Sequence, residues 1–208
     1  MEQLQSLQVT NAGRTKLRVW IDFVCPFCLL GEKEIAKAIE GLDVDIVWMP
    51  FELREYPTPT LRPEDEYLPR VWSQSVYPMA EKMGVDIRLP TISPQPYTRK
   101  AFLGLQHAFD HNKGDAYVDA VLRAFFQQDR NISQTGVLKE IMTEVRLNPD
   151  DLDTVLASPE YGKRHDAALQ EARNAHIRSV PSVGIGDRII PGVPNAARLR
   201  AEILKQQS

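Results

Sequence analysis

The alternation of apolar and polar residues predicts a strand–helix–strand unit near the start of the chain. Over residues 17–24 apolar side chains recur at every second position, which is the period of a β-strand. Trp20 on the opposite face indicates a central strand that is buried on both sides. From Pro26 the apolar spacing becomes helical, and Gly41 ends that helix. A second strand over residues 44–49 completes a βαβ unit.

The remainder of the chain is predicted to form a block of helices, followed by two short strands and a last helix. Prolines between residues 50 and 69 predict an irregular crossing. Helical spacing then predicts helices over 68–83, 97–112, 115–128, 134–145 and 150–156, and one that opens at Pro159. Two short strands, 182–185 and 188–190, flank a turn at Gly186-Asp187, and residues 195–206 form a last helix.

This order of elements predicts an α/β fold of the thioredoxin-like kind with an all-helical insertion. We expect residues 1–16 to be an N-terminal extension. The thioredoxin-like domain is predicted to consist of residues 17–60 and 160–208, and the helical insertion domain of residues 61–159.

Composition narrows the classes of function. The chain has 208 residues, 43% hydrophobic, 25% charged, with a net charge of −3, which suits one globular domain with an insertion. Without a basic patch, binding to nucleic acid or to an anionic membrane is not expected. No apolar run approaches the roughly 18 residues of a membrane span. Residues 1–16 lack the positive start and apolar stretch of a secretory signal, so we expect a cytoplasmic protein.

The chemistry-bearing motif is a Cys-Pro-Phe-Cys sequence at the predicted turn from strand to helix. Cys25 and Cys28 are three residues apart, which places their sulfurs within bridging distance in a first helical turn. Unpaired backbone N–H groups at the helix N-terminus favour an anion, so Cys25 is predicted to be the exposed nucleophile. Cys28 lies on the apolar stripe and is predicted to be buried and to resolve the mixed disulfide.

Two other interpretations of the cysteines remain open on sequence. They are either a reduced structural pair or half of a zinc site completed by His107 and His111. The histidines follow the cysteines by about 80 residues, against about a dozen in a zinc finger. The strand–turn–helix setting favours redox chemistry, and we expect no metal.

Two segments, WIDFVCPFC at residues 20–28 and SVPSVGIGDRIIPG at residues 179–192, carry a family resemblance together with the helical middle. From about residue 17 the chain resembles the DsbA-like thioredoxin superfamily, and within it the cytoplasmic FrnE-type branch. That branch is related to 2-hydroxychromene-2-carboxylate isomerases and kappa-class glutathione transferases.

The resemblance implies a substrate site around the cysteines. It implies that Pro181 is cis and faces them, the alternative being a trans proline that opens a strand. The Val180 backbone could then pair with an extended substrate segment beside Cys25, and Pro26 and Phe27 would line the same site.

Two residues of the motif region modify this expectation. Phe27 stands where periplasmic DsbA-type oxidants carry His, and Phe can neither donate a hydrogen bond nor carry charge. Reduction or isomerisation of disulfides is therefore favoured over strong oxidation. Asp22 matches an acid often seen in this branch and could exchange a proton with Cys28 if it is buried. The alternative is a solvated or helix-capping carboxylate.

The sequence thus predicts a thiol–disulfide oxidoreductase acting on protein thiols and disulfides or on small thiols, as a monomer or homodimer. No cofactor is expected beyond the redox-active disulfide, although glutathione is a possible co-substrate. Two alternatives remain. The aromatic residues of the insertion suggest a chaperone or adaptor-type binding protein. A glutathione-dependent isomerase or transferase is the other, although such relatives typically carry Ser at the position of Cys25.

Overall fold

The computed structural model describes residues 14–207, so that most of the predicted N-terminal extension lies outside the described residues. The strands are β1 (Thr15–Ile21), β2 (Val44–Pro50), β3 (Ser182–Ile185) and β4 (Arg188–Pro191). The helices are α1 (Pro26–Ile39), α2 (Tyr67–Val71), α3 (Tyr77–Met83), α4 (Arg99–Asp110), α5 (Gly114–Phe126), α6 (Thr135–Glu144), α7 (Asp151–Ala157), α8 (Pro159–Asn174) and α9 (Ala196–Gln207). The predicted helices and strands are therefore confirmed, with ends that differ by up to three residues.

The four strands form one mixed sheet in the order β2-β1-β3-β4. Strand β1 pairs in parallel with β2 and antiparallel with β3, and β3 pairs antiparallel with β4. Val19 and Trp20, which point to opposite faces of β1, are both 0% exposed, so the prediction of a central strand is confirmed.

The predicted extension of this strand to residue 24 is wrong. β1 ends at Ile21, and the backbone N–H of Cys25 turns back to donate to the Asp22 carbonyl at 3.1 Å. Phe23 continues the apolar alternation because it is fully buried under the turn, and not because it belongs to the strand.

Helices cover the sheet and connect it to the helical block. Helix α1 packs against α9 and α5, and α8 packs against β2 and α4. The fold is a mixed α/β thioredoxin-like fold with a helical insertion. The division into domains at residues 60 and 160 stays a prediction.

The predicted helix over residues 68–83 contains a widened turn. Residues Trp72–Val76 are π-helical and join α2 to α3. Pro78, two residues beyond this segment, has no N–H to donate, and its ring would crowd a regular preceding turn. The wider π turn places the irregularity where this proline requires it.

Within residues 14–207 no helix is both long enough and apolar enough to cross a membrane.

Candidate active site

Cys25 is the N-cap residue of α1. Its backbone is extended, with φ −92° and ψ 113°, and Pro26 occupies the first turn, where a missing N–H costs nothing. The Cys25 side chain is only 5% exposed, so the prediction of an exposed thiol is wrong. The reason is tertiary: the Sγ atom lies 3.4 Å from the carbonyl oxygen of Val180, which covers one side of it.

Cys28 lies beneath Cys25 and is 0% exposed, which confirms its predicted burial. Its backbone N–H donates to the Cys25 carbonyl at 2.9 Å, and its Sγ accepts the backbone N–H of Asp22 at 3.4 Å. Burial raises the pKa of the Cys28 thiol well above its usual range, and the side-chain hydrogen bond with Cys25 acts in the same direction. The two thiols are therefore adjacent, and Cys28 is the more deeply buried of the two.

A cavity of about 250 Å³ opens at Cys25, whereas Cys28, Val180 and Pro181 do not line it. Four of the sequence-predicted site residues line it, namely Asp22, Cys25, Pro26 and Phe27. The rest of the wall comes from the proline-rich crossing, α2, the start of the π-helical segment and the segment before α4. It includes Leu53, Arg54, Thr60, Leu61, Tyr67, Leu68, Val71, Trp72, Gln95, Pro96 and Thr98. We call this cavity the cysteine groove.

The Val180–Pro181 peptide bond is cis, as the family resemblance implied. The Pro181 carbonyl accepts the backbone N–H of Gly192 at 2.8 Å. A Cβ atom at Gly31 of α1 would lie 2.8 Å from Cγ of Pro181, which is too close for real carbon contacts. Glycine at position 31 thus allows α1 to approach this loop closely enough to bring Val180 to Cys25.

Asp22 is buried, with 1% of its surface exposed, so the alternative of a solvated or capping carboxylate is wrong. Its Oδ2 atom accepts the backbone N–H of Leu53 at 2.7 Å, whereas Oδ1 has no hydrogen-bond partner among the described residues. Burial raises the pKa of this carboxyl group from 3.8 to about 7, and the nearby charge of Glu52 adds to the effect. The carboxyl group can therefore hold or release a proton near neutral pH.

Sequence reasoning missed a second buried acid–base pair behind Asp22. Nε2 of His165 lies 2.5 Å from Oε1 of Glu52, and the two residues are 0% and 9% exposed. His165 shares its helix face with the buried Leu169 and Ala172, a spacing that could have indicated its burial. Glu52 gave no signal, because its partner is 113 residues away in the sequence.

His107 and His111 contact each other, with ring centroids 4.3 Å apart, as the interpretation of an ordinary helix pair expects. Neither residue lines the cysteine groove. Among residues 14–207, no three His, Cys, Asp or Glu side chains are grouped so that they could hold a metal ion.

The fold and the cysteine groove define the class of protein. Residues 16–204 match the family model described as a DSBA-like thioredoxin domain, so the chain belongs to the DsbA-like thioredoxin family of thiol–disulfide oxidoreductases.

One curated protein is similar in sequence to most of this chain. The sequence is 43% identical over 178 residues to the uncharacterized protein YwbO of Bacillus subtilis (strain 168), which covers 85% of this chain and 89% of the relative.

Solved structures share the fold at low sequence identity. A 2-hydroxychromene-2-carboxylate isomerase superposes with a TM-score of 0.74 at 15% identity, covering 92% of this chain and 96% of the other. A probable DsbA oxidoreductase from Streptomyces coelicolor gives 0.73 at 20% identity, covering 92% and 89% of the two chains. The cytosolic disulfide reductase DsbM from Pseudomonas aeruginosa, in a structure with GSH, gives 0.71 at 15% identity over 92% and 98%. At these identities the likeness shows the fold alone.

Proposed function

We propose that this protein exchanges dithiols and disulfides through Cys25 and Cys28, with Cys25 as the nucleophile and Cys28 as the resolving thiol. The observation that carries the proposal is the asymmetry of the pair. Cys25 lines the cysteine groove at a helix N-terminus, while Cys28 is fully buried behind it with a raised pKa. A substrate in the groove reaches Cys25 first.

The reaction follows from this arrangement. The Cys25 thiolate attacks one sulfur of a substrate disulfide, forms a mixed disulfide and expels the other sulfur as a thiolate, which takes up a proton. Cys28 then loses its proton and attacks the Cys25 sulfur. The Cys25–Cys28 disulfide forms, and the substrate leaves as a dithiol. The electrons that reduce the substrate come from the two cysteines, so a thiol reductant must restore them.

Asp22 is the proposed proton acceptor for Cys28. A thiol with a raised pKa needs a base when it attacks, and Asp22 adjoins it, because the Asp22 backbone N–H reaches the Cys28 sulfur at 3.4 Å. The Asp22 pKa of about 7 suits a group that must both accept and return the proton at neutral pH.

The substrate segment is proposed to bind along the loop that carries Val180. Its carbonyl already accepts the Cys25 thiol at 3.4 Å, so an extended chain beside Cys25 would meet polar backbone at Val180. Pro26 and Phe27 form the apolar rim on the helix side of the groove, and Pro181 fixes the loop against Gly31.

The proposed direction is reduction or isomerisation in the cytoplasm. Phe27 offers no hydrogen bond or charge to a thiolate at Cys25, which disfavours a strongly oxidising protein. Protein disulfides or small thiols are the proposed partners of a monomer or homodimer, with glutathione as a possible reductant. The neighbour described as a cytosolic disulfide reductase with GSH supports this direction by analogy of fold.

The aromatic residues that suggested a chaperone or adaptor are largely core residues. Trp72 and Phe102 are each 1% exposed, and Phe125 and Phe126 are 0% exposed. They are therefore not free to bind a client. One observation supports the alternative function of a glutathione-dependent isomerase or transferase, namely the fold shared with the isomerase structure.

A matched pair of variants tests the proposal. During reduction of insulin by dithiothreitol, the wild-type protein should accelerate turnover and Cys25→Ser should not. Cys28→Ser should instead trap the mixed disulfide, which mass spectrometry detects as the protein mass plus one substrate chain. Equal trapping by the two variants, or an insulin reduction rate unaffected by Cys25→Ser, would contradict the assigned roles.

A further inference from the structure

A second and larger cavity, of about 910 Å³, lies between the sheet and helices α4 and α8. It shares no lining residue with the cysteine groove. Its volume lies within the range of roughly 300–1,000 Å³ that is usual for small-molecule sites. We call it the sheet–helix cavity.

Most of the wall of this cavity is apolar. Val47 and Met49 from β2 and Leu105 and Phe109 from α4 supply apolar side chains, while Ala168 of α8 leaves space between them. A wall of this kind can bury a hydrocarbon chain or a ring.

Three polar atoms on the same wall have no hydrogen-bond partner within the described residues: Gln106 Oε1, Arg164 Nε and His165 Nδ1. The other end of each side chain is fixed. Nε2 of Gln106 donates to the Tyr161 carbonyl at 3.2 Å. The Arg164 guanidinium donates two hydrogen bonds of 3.0 Å to Asp110. Nε2 of His165 lies 2.5 Å from Oε1 of Glu52. The paired ends hold these three side chains in place, and the unpaired atoms, being buried, are not themselves contacts for a ligand.

The charges around the cavity favour an anion. Lys16 and Arg18 of β1 line it, and Glu171 is its only carboxylate among the described residues. Glu171 meets Arg18 at 3.5 Å, which is a long contact between two exposed side chains. The side chain of Lys16 is exposed and makes no hydrogen bond or ion pair with any residue in 14–207, so its ammonium group remains available.

We propose that the sheet–helix cavity binds a small organic carboxylate with an apolar body. The body lies against Val47, Phe109 and Ala168, and the carboxylate lies at Lys16 and Arg18. This site is separate from the thiol chemistry and does not depend on it.

Isothermal titration calorimetry of the full chain with decanoate tests the proposal, with decan-1-ol and decylamine as matched uncharged and cationic probes. Decanoate should bind saturably at one equivalent, about a hundredfold more tightly than decan-1-ol, because the charge-assisted contacts with Lys16 and Arg18 contribute about tenfold each. Decylamine should bind no more tightly than decan-1-ol. Absence of saturable binding, or equal affinity for all three probes, overturns the proposal.

Variants locate the site. Lys16→Ala and Arg18→Ala should each weaken decanoate binding by about tenfold and leave decan-1-ol binding unchanged. Lys163→Ala removes an exposed charge from α8 that does not line the cavity, and should change neither. Ala168→Phe places a ring in the part of the cavity proposed to hold the apolar body, and should weaken binding of both probes, with folding checked by circular dichroism. Unchanged affinity of both probes for folded Ala168→Phe overturns the proposal. If that variant does not fold, the comparison of the Lys16 and Arg18 variants with the Lys163 variant decides.

Discussion

The variant Asp22→Asn removes a titrating group beneath the active site while nearly preserving its shape. The asparagine oxygen can still accept the Leu53 N–H that now bonds Oδ2 at 2.7 Å. What the substitution removes is the negative charge that the fully buried carboxylate must carry above its pKa of about 7.

The size of the effect on the free energy of unfolding follows from the raised pKa of Asp22. In the unfolded chain the Asp22 carboxyl group ionises near its ordinary value of 3.8, and in the folded protein near 7. At about 1.4 kcal/mol per pKa unit, the difference corresponds to about 4 kcal/mol. Between these two values the folded state binds more protons than the unfolded state, so this group lowers the free energy of unfolding as pH rises from about 4 to about 7. Above that range its cost is fully present and constant.

Urea unfolding at pH 4 and at pH 7.5, with a phosphine reductant to keep both thiols reduced, measures this effect. At each pH we subtract the free energy of unfolding of the wild type from that of Asp22→Asn. This difference should be about 4 kcal/mol more positive at pH 7.5 than at pH 4. Any packing or hydrogen-bond cost of the amide is present at both pH values and cancels in the comparison.

Asp65→Asn, at an exposed carboxylate, provides the matched control and should give the same difference from wild type at both pH values. A change of less than about 1 kcal/mol for Asp22→Asn would refute the reasoning, because it would mean that burial does not hold the proton on this carboxyl group.

Three further predictions concern the surroundings of the thiols. Gly31→Ala places a Cβ atom 2.8 Å from Cγ of Pro181, and should lower the free energy of unfolding by about 1–3 kcal/mol in urea titrations and slow insulin reduction. Phe27→His gives the Cys25 thiolate a hydrogen-bond donor, and should raise the reduction potential measured in glutathione buffers by about 30–60 mV, since about 1.4 kcal/mol corresponds to 30 mV. Glu52→Leu leaves His165 buried without its partner at 2.5 Å, and should cost about 3 kcal/mol or more of unfolding free energy.

Each of these predictions has a control. Gly162→Ala in α8 would meet only an arginine side chain at 3.6 Å, so it should be neutral or slightly stabilising, and equal losses at both glycines would contradict the steric argument. Phe27→Leu should leave the potential unchanged, and a shift as large as that of the histidine variant would exclude a role for the donor. Adding His165→Phe to Glu52→Leu should restore much of the lost stability, because no buried polar group is then left without a partner. A double variant as unstable as the single one would argue against the pair.

The sequence by itself determined the local structure and the position of the Cys-Pro-Phe-Cys motif. The period-two pattern over residues 17–24 located β1, and the change to helical spacing at Pro26 placed Cys25 and Cys28 at the start of a helix. Neighbouring residues dictate such features, because hydrophobic periodicity and turn chemistry act over a few positions. The burial of Cys28 followed from the same helical stripe.

The tertiary structure alone decided the environment of those thiols. Cys25 is covered because the loop carrying Val180, 155 residues away, comes within 3.4 Å of its sulfur. Asp22 is buried by the segment that contains Leu53, and Glu52 meets His165 only because α8 packs back against β2. Desolvation depends on which distant segments exclude water from a group, and no local pattern encodes that. The sequence thus identifies the residues proposed to react, whereas their exposure and the acidity of Asp22 and Cys28 arise from the packing of the whole chain.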